Sequence, residues 1–279
     1  MQTLLLITLF SLGAVLGSAL NALAWRLEVG KGWARGRSQC PDCEHQLRWF
    51  ELVPLVSFII LRGSCHQCAQ PISLQYPLVE LAAGGLAALS FTTFGLTVGG
   101  VLSLLISLLL LFIYIYDGRT MMIPDPAVWS FNLLAFGALF FSFDYSFLLG
   151  GEPFALPGWW QLAAGPLVAL PLFLIWTGSR GRAMGFGDVK LALGLGWLLG
   201  IAGGISALVF AFWIGAVVSL GLLGYQRLWK SPSLNTPPGP TMKPDDRPEP
   251  ALSMQSAVPF GPFLILGWLI VFFSNLTLF

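Results

Sequence analysis

Apolar residues in this chain fall in long blocks separated by short polar stretches. A helix needs about 20 mostly apolar residues to cross a bilayer, with a range of roughly 17–25. Eight blocks are candidates: 3–24, 77–95, 99–116, 127–143, 160–177, 188–202, 203–223 and 261–279. The sixth and seventh form one run, too long for a single tilted helix across a core of about 30 Å. The glycines of GIAGG (200–204) can turn the chain, and the run is divided there.

Composition agrees with that pattern. Of the 279 residues 56% are hydrophobic and only 10% charged, where a soluble domain carries about 25% charged residues. A net charge of +1 predicts no nucleic-acid partner. The expected fold is an all-α polytopic membrane protein with about eight transmembrane helices. All 14 Lys and Arg residues fall in alternate loops: after spans one, three and seven, and around the junction of spans five and six. Positive loops stay cytoplasmic, so both termini are expected outside and the four basic loops inside.

Two loops stand apart. Residues 25–76 can form a small cytoplasmic domain, in which LVPLVSFIIL (52–61) is too short to span and is expected in the domain's core. Residues 231–250 hold seven prolines and read as an extended linker. The organisation is then helix 1 over 1–24, the cytoplasmic domain over 25–76, helices 2–7 over 77–230, a linker over 231–260 and helix 8 over 261–279.

The cytoplasmic domain holds every cysteine of the chain, in CPDC (Cys40, Cys43) and CHQC (Cys65, Cys68). Two C-x2-C knuckles can converge on one tetrahedral Zn²⁺. The alternative, two disulfides, is disfavoured in a reducing cytoplasm. Four thiolates close the shell, so the zinc would be structural. His45 and His66 read as surface or supporting residues.

Nine of the 13 acidic residues, among them Glu28 and Glu51, read as solvated. Glu80, Asp117, Asp125 and Asp188 remain at membrane edges. Asp117 closes span three and Asp188 opens span six, both at the cytoplasmic boundary. A converging carboxylate pair can share one proton and divide acid and base work between its members. Helix capping explains Asp125, after Pro124, and could explain Asp188. It does not explain Asp117, an acid at a helix C-terminus. Gly185 and Gly187 allow either a left-handed backbone or a close approach beside Asp188.

These residues resemble type IV prepilin peptidases, membrane aspartyl proteases of the GxGD type. The resemblance rests on GSALNALAWRL (17–27), the two cysteine pairs, ISLQYPLVELAAG (72–84), DGRTMMIPD (117–125), GFGDVKLALGLG (185–196) and PFGPFL (259–264), in that order. It implies cleavage of the basic leader of prepilins or pseudopilins after a glycine, with Asp117 and Asp188 catalytic. Asp125, Gly185, Gly187 and Lys190 are supporting residues. It further implies N-methylation of the new N-terminus with S-adenosylmethionine, a step to which Glu80 and Gly84 are candidates. The implied location is the bacterial inner membrane, with the active site facing the cytoplasm. The substrate's apolar helix is expected beside span six, against Gly194 and Gly196, where small residues allow close packing. The competing readings are a polytopic transporter, an intramembrane aspartyl protease without methyltransferase activity, and a lipid-head-group transferase suggested by DGR (117–119). The transferase reading lacks the further Asp and Gly spacing it needs.

Overall fold

The computed structural model describes residues 2–30, 32, 37–140, 156–229, 259–274 and 276–278. The Pro-rich stretch 231–250 and the end of the fourth apolar block lie outside these residues. Eight α-helices are described: α1 (Gln2–Glu28), α2 (Val56–Ile60), α3 (Gln75–Phe94), α4 (Val98–Thr120), α5 (Asp125–Ala138), α6 (Trp159–Gly178), α7 (Phe186–Trp229) and α8 (Gly261–Ser274). Helices α1, α3, α4, α6 and the segment Phe186–Leu222 of α7 are long and apolar enough to cross a membrane. The shorter α5 and α8 have 14 residues each. Gly200 leaves helical conformation (φ 71°, ψ −175°), so α7 is two helices meeting at a kink. The sequence reading places its break within GIAGG (200–204), between residues 202 and 203, and the kink falls at the first glycine of that stretch.

Helix α4 lies at the centre. Ile106, Leu110 and Ile113 on it are fully buried, and it packs on α1, α3, α5 and α8. Around it, α1 pairs with α3, while α7 contacts α5, α6 and α8. Backbones approach closely where small residues meet. A Cβ added to Gly13 would stand 2.5 Å from the Ala83 carbonyl oxygen, and one on Gly17 would stand 2.7 Å from the Ala83 Cβ. Lipid gives no hydrophobic gain between helices, so tight small-residue packing must supply the association. One polar tie joins the same pair of helices: buried Asn21 donates from Nδ2 to the Tyr76 carbonyl at 3.3 Å.

The stretch 52–61 departs from expectation. Helix α2 has no buried residue, with Ile59 and Ile60 73% and 70% exposed. The cysteine domain is too small to enclose it. Glu51 is buried instead of solvated; it accepts the Arg48 backbone N–H at 2.6 Å and faces His45 Nε2 at 3.4 Å. Glu28 pairs with Arg119 at 2.8 Å, joining the end of α1 to the end of α4.

Candidate active site

Helix α4 runs to Thr120 and stops because Met121 takes the left-handed conformation (φ 53°, ψ 29°). The Met121 N–H closes this turn on the Asp117 carbonyl at 2.8 Å. The chain then passes Ile123 and Pro124 into α5, while α7 starts at Phe186. The three helix ends meet at one cleft of about 660 Å³, lined among others by Asp117, Asp125, Asp188, Ile123, Arg182 and Phe260. Asp117 and Asp188 are 4% and 7% exposed, and both line this cleft. Two nearly buried carboxylates opening into one cleft are suited to general acid–base work on a bound substrate.

The supporting residues divide by role. Gly185 and Gly187 are not among the left-handed glycines; close approach is what Gly187 provides. A Cβ there would stand 3.0 Å from the Ile123 Cβ, so its absence lets the first turn of α7 press against the loop from α4. Asp125 is the first residue of α5, after Pro124 at the N-cap position. Its carboxylate accepts from Lys190 Nζ at 2.6 Å, and that ammonium also lies 5.3 Å from the centroid of the Phe186 ring. Gly261, the first residue of α8, carries a signal that sequence reasoning missed. A Cβ on it would stand 2.5 Å from Asp117 Oδ2. The block PFGPFL pointed to that region without marking this glycine.

Gly194 and Gly196 do not face a substrate. A Cβ on Gly194 would collide with Phe131 and stand 2.5 Å from Asn132 Oδ1 of α5; one on Gly196 would stand 2.6 Å from the Ala164 carbonyl of α6. Both glycines are filled against the protein's own helices, which overturns the expected groove along span six.

A second cavity of about 380 Å³ lies where α1, α3 and the cysteine domain meet; Trp25, Arg26, Phe58, Tyr76, Glu80 and Arg119 line it. Glu80 is 7% exposed and accepts the Leu55 backbone N–H at 2.8 Å. Gly84 is not part of this cavity: it is packed against Phe10 of α1, 2.8 Å from a would-be Cβ. Asp117 and Arg119 lie two residues apart on α4, about 200° around the helix, so its last turn stands between the two cavities.

The four cysteines converge, with their sulfurs all within 4.8 Å of one another. Cys40 and Cys68 sulfurs are 3.9 Å apart and those of Cys43 and Cys65 4.0 Å. Four thiolates around one zinc at about 2.3 Å would stand about 3.8 Å apart, so this set can hold a metal ion. Each knuckle is folded alike. The Cys40 carbonyl accepts from Glu44 N–H and the Cys65 carbonyl from Ala69 N–H, both at 3.0 Å. Glu44 and Ala69, one residue past each second cysteine, are left-handed (φ 55° and 57°). The turn aims backbone N–H groups at sulfur: the Cys68 and Gln67 amides bring the Cys65 thiol down to about 7. Burial pushes the Cys40 thiol up.

Two family models match the chain: Bacterial Peptidase A24 N-terminal domain over residues 11–94 and Type IV leader peptidase family over residues 104–220. The chain is similar to the prepilin leader peptidase/N-methyltransferase of Myxococcus xanthus, with 35% identity over 77% of the chain and 62% of that protein. It is 30% identical to the protein of that name from Burkholderia pseudomallei, over 92% of the chain and 81% of the relative. The Aeromonas hydrophila protein of that name is 32% identical, over 86% of the chain and 72% of the relative. No solved structure matches.

Proposed function

Because the chain belongs to the type IV leader peptidase family, we propose that it cleaves the leader of prepilins or pseudopilins and N-methylates the new terminus. The observation that carries the peptidase reading is the meeting of Asp117 and Asp188 in one cleft, at the end of α4 and the start of α7. With one proton between them, the ionised carboxylate takes a proton from water as the water attacks the scissile carbonyl. The protonated one donates to the departing amine. Asp125 and Lys190 hold α5 and α7 in register behind this pair, and Gly185 and Gly187 let α7 begin beside Ile123. Incubating detergent-solubilised enzyme with a prepilin, then weighing the product N-terminus, tests both steps. An uncut prepilin would sink the peptidase reading, and an unmethylated product the methyltransferase reading.

The chain spans the bacterial inner membrane eight times, with α7 counted as two spans divided at Gly200 and both termini outside. Its support is the placement of every Lys and Arg in alternate loops. That orientation leaves the dyad and the cysteine domain on the cytoplasmic side, where a basic leader stays. Cys40, Cys43, Cys65 and Cys68 hold a structural Zn²⁺. Sulfur spacing near that of a tetrahedral thiolate shell supports this.

S-adenosylmethionine, when bound, supplies an activated methyl group, and the second cavity fits it. Arg26 and Arg119 put positive charge on its wall for a carboxylate, Arg119 while paired through Nε with Glu28; Glu80 brings negative charge for a sulfonium, and Trp25 and Tyr76 add aromatic rings. A cavity of about 380 Å³ lies within the range of roughly 300–1,000 Å³ of small-molecule sites. Gly84 acts only by letting α1 and α3 approach.

A further inference from the structure

Helix α2 carries an apolar face that nothing among the described residues covers. Val56, Ile59 and Ile60 are 49%, 73% and 70% exposed, and Trp49 just before them is 78% exposed. The opposite face turns to the second cavity, which Ser57, Phe58 and, just past the helix, Leu61 line. A five-residue helix with one face on the cavity and one bare apolar face separates that cavity from whatever lies outside.

The depth of this face can be read from one bond. Leu55, immediately before α2, donates its N–H to Glu80 Oε2 at 2.8 Å. Glu80 lies five residues into α3, which begins at Gln75, or about 7.5 Å along it at 1.5 Å per residue. Helix α3 is long and apolar enough to span a membrane, and Leu78 and Leu81 are 61% and 51% exposed near Glu80. Interfacial helices bury their apolar faces about 5–10 Å into the boundary of headgroups and acyl chains. Arg48 and Arg62, both exposed, flank the segment and suit phosphate headgroups. Trp49 suits the same layer.

We propose that α2 inserts its Val56–Ile59–Ile60 face, with Trp49, into the cytoplasmic leaflet, so that the cysteine domain rests on the membrane and the bilayer backs the wall of the second cavity. This rests on the membrane reading of α3 given above. The occupant is lipid rather than a soluble partner because the Leu55–Glu80 bond holds α2 beside the second turn of α3, the level at which Leu78 and Leu81 are also exposed on a helix able to span a membrane. Glu80 is then the tether that sets this depth, besides lining the cavity.

The test uses the full-length enzyme in lipid nanodiscs, with a fluorescent amino acid in place of Ile59 in one sample and of exposed Gln46 in another. Lipids carrying a doxyl group near the headgroup end of the acyl chain are expected to quench position 59 at least twofold and leave position 46 unchanged. Quenching of position 59 by aqueous iodide instead would overturn the proposal. Protection from both quenchers would overturn it too, because protein, either this chain or a second copy, would then cover the face. Prepilin cleavage measured on the same samples separates this outcome from the functional reading: an active enzyme without lipid quenching loses only the insertion.

Discussion

Lys190 Nζ lies 2.6 Å from Asp125 Oδ1, tying the first turn of α7 to the first residue of α5. The Asp125 side chain is 65% exposed, and exposed ion pairs contribute about 0–1 kcal/mol. Asp125→Asn should therefore leave the thermal midpoint nearly unchanged and slow prepilin cleavage only a few-fold. Complete loss of cleavage in a folded Asp125→Asn protein would place Asp125 among the reacting groups.

Asp117→Asn and Asp188→Asn should each abolish cleavage while the protein still inserts and folds. General acid–base groups contribute roughly 10²–10⁴-fold each, and an amide supplies neither the base nor the acid. Single-turnover assays on purified variants decide this. If either variant keeps a tenth of wild-type activity, the pair is not the catalytic dyad.

Part of this site was legible in the sequence because its residues break local rules. Asp117 is an acid at a helix C-terminus, where the helix dipole opposes it, and the fold buries it as well. The cysteine pairs were legible by spacing alone. A break within GIAGG was legible because one helix of that length cannot fit a bilayer, although only the fold puts it at Gly200. What stayed hidden depends on partners far away in sequence. Gly194 and Gly196 looked like a groove, but only the fold reveals Phe131 and Ala164 filling it. Apolar 52–61 looked like core, since composition does not distinguish a residue packed on protein from one left exposed by it.

The packing of Gly196 has a measurable consequence. A leucine there would collide with α6 at the Ala164 carbonyl and Gly165. Overpacking of this kind costs about 1–3 kcal/mol or more. Gly196→Leu should lower the thermal midpoint of the detergent-solubilised protein, and fall in activity only as folded protein is lost. A stable variant with selectively weakened prepilin binding would restore the substrate-groove reading.

Purified enzyme should contain one zinc per chain by elemental analysis. Cys43→Ser, which removes a sulfur 4.0 Å from that of Cys65, should lose the metal and loosen residues 37–72 to limited proteolysis. Structural zinc contributes on the order of 10 kcal/mol of apparent binding free energy in small domains, so the domain should not hold together without it. Methylation should fall further than cleavage, because Cys40 and Cys65 line the second cavity and no cysteine lines the dyad cleft. Freshly reduced protein that is folded and free of metal would refute the zinc assignment.

Gly261 gives the most discriminating test of the dyad's geometry. A methyl group on it would stand 2.5 Å from Asp117 Oδ2 and 3.4 Å from Asp117 Cγ. The first distance is too short for any real contact, so something must move. The neighbour is the end of a side chain rather than backbone, so the carboxylate can swing away while α8 stays in place. Gly261→Ala should then shift the thermal midpoint little but misplace one catalytic group. A displacement of about 1 Å can cost roughly 10²-fold in rate, and kcat for cleavage should fall about 10- to 100-fold with prepilin affinity retained. Gly185→Ala is the matched control, since its Cβ would stand 3.7 Å from Asp188 Oδ2, an ordinary contact, and it should lose no more than a few-fold. If both variants cleave at the wild-type rate, the carboxylate of Asp117 is free to move without consequence, and the chemistry does not depend on the position the fold gives it.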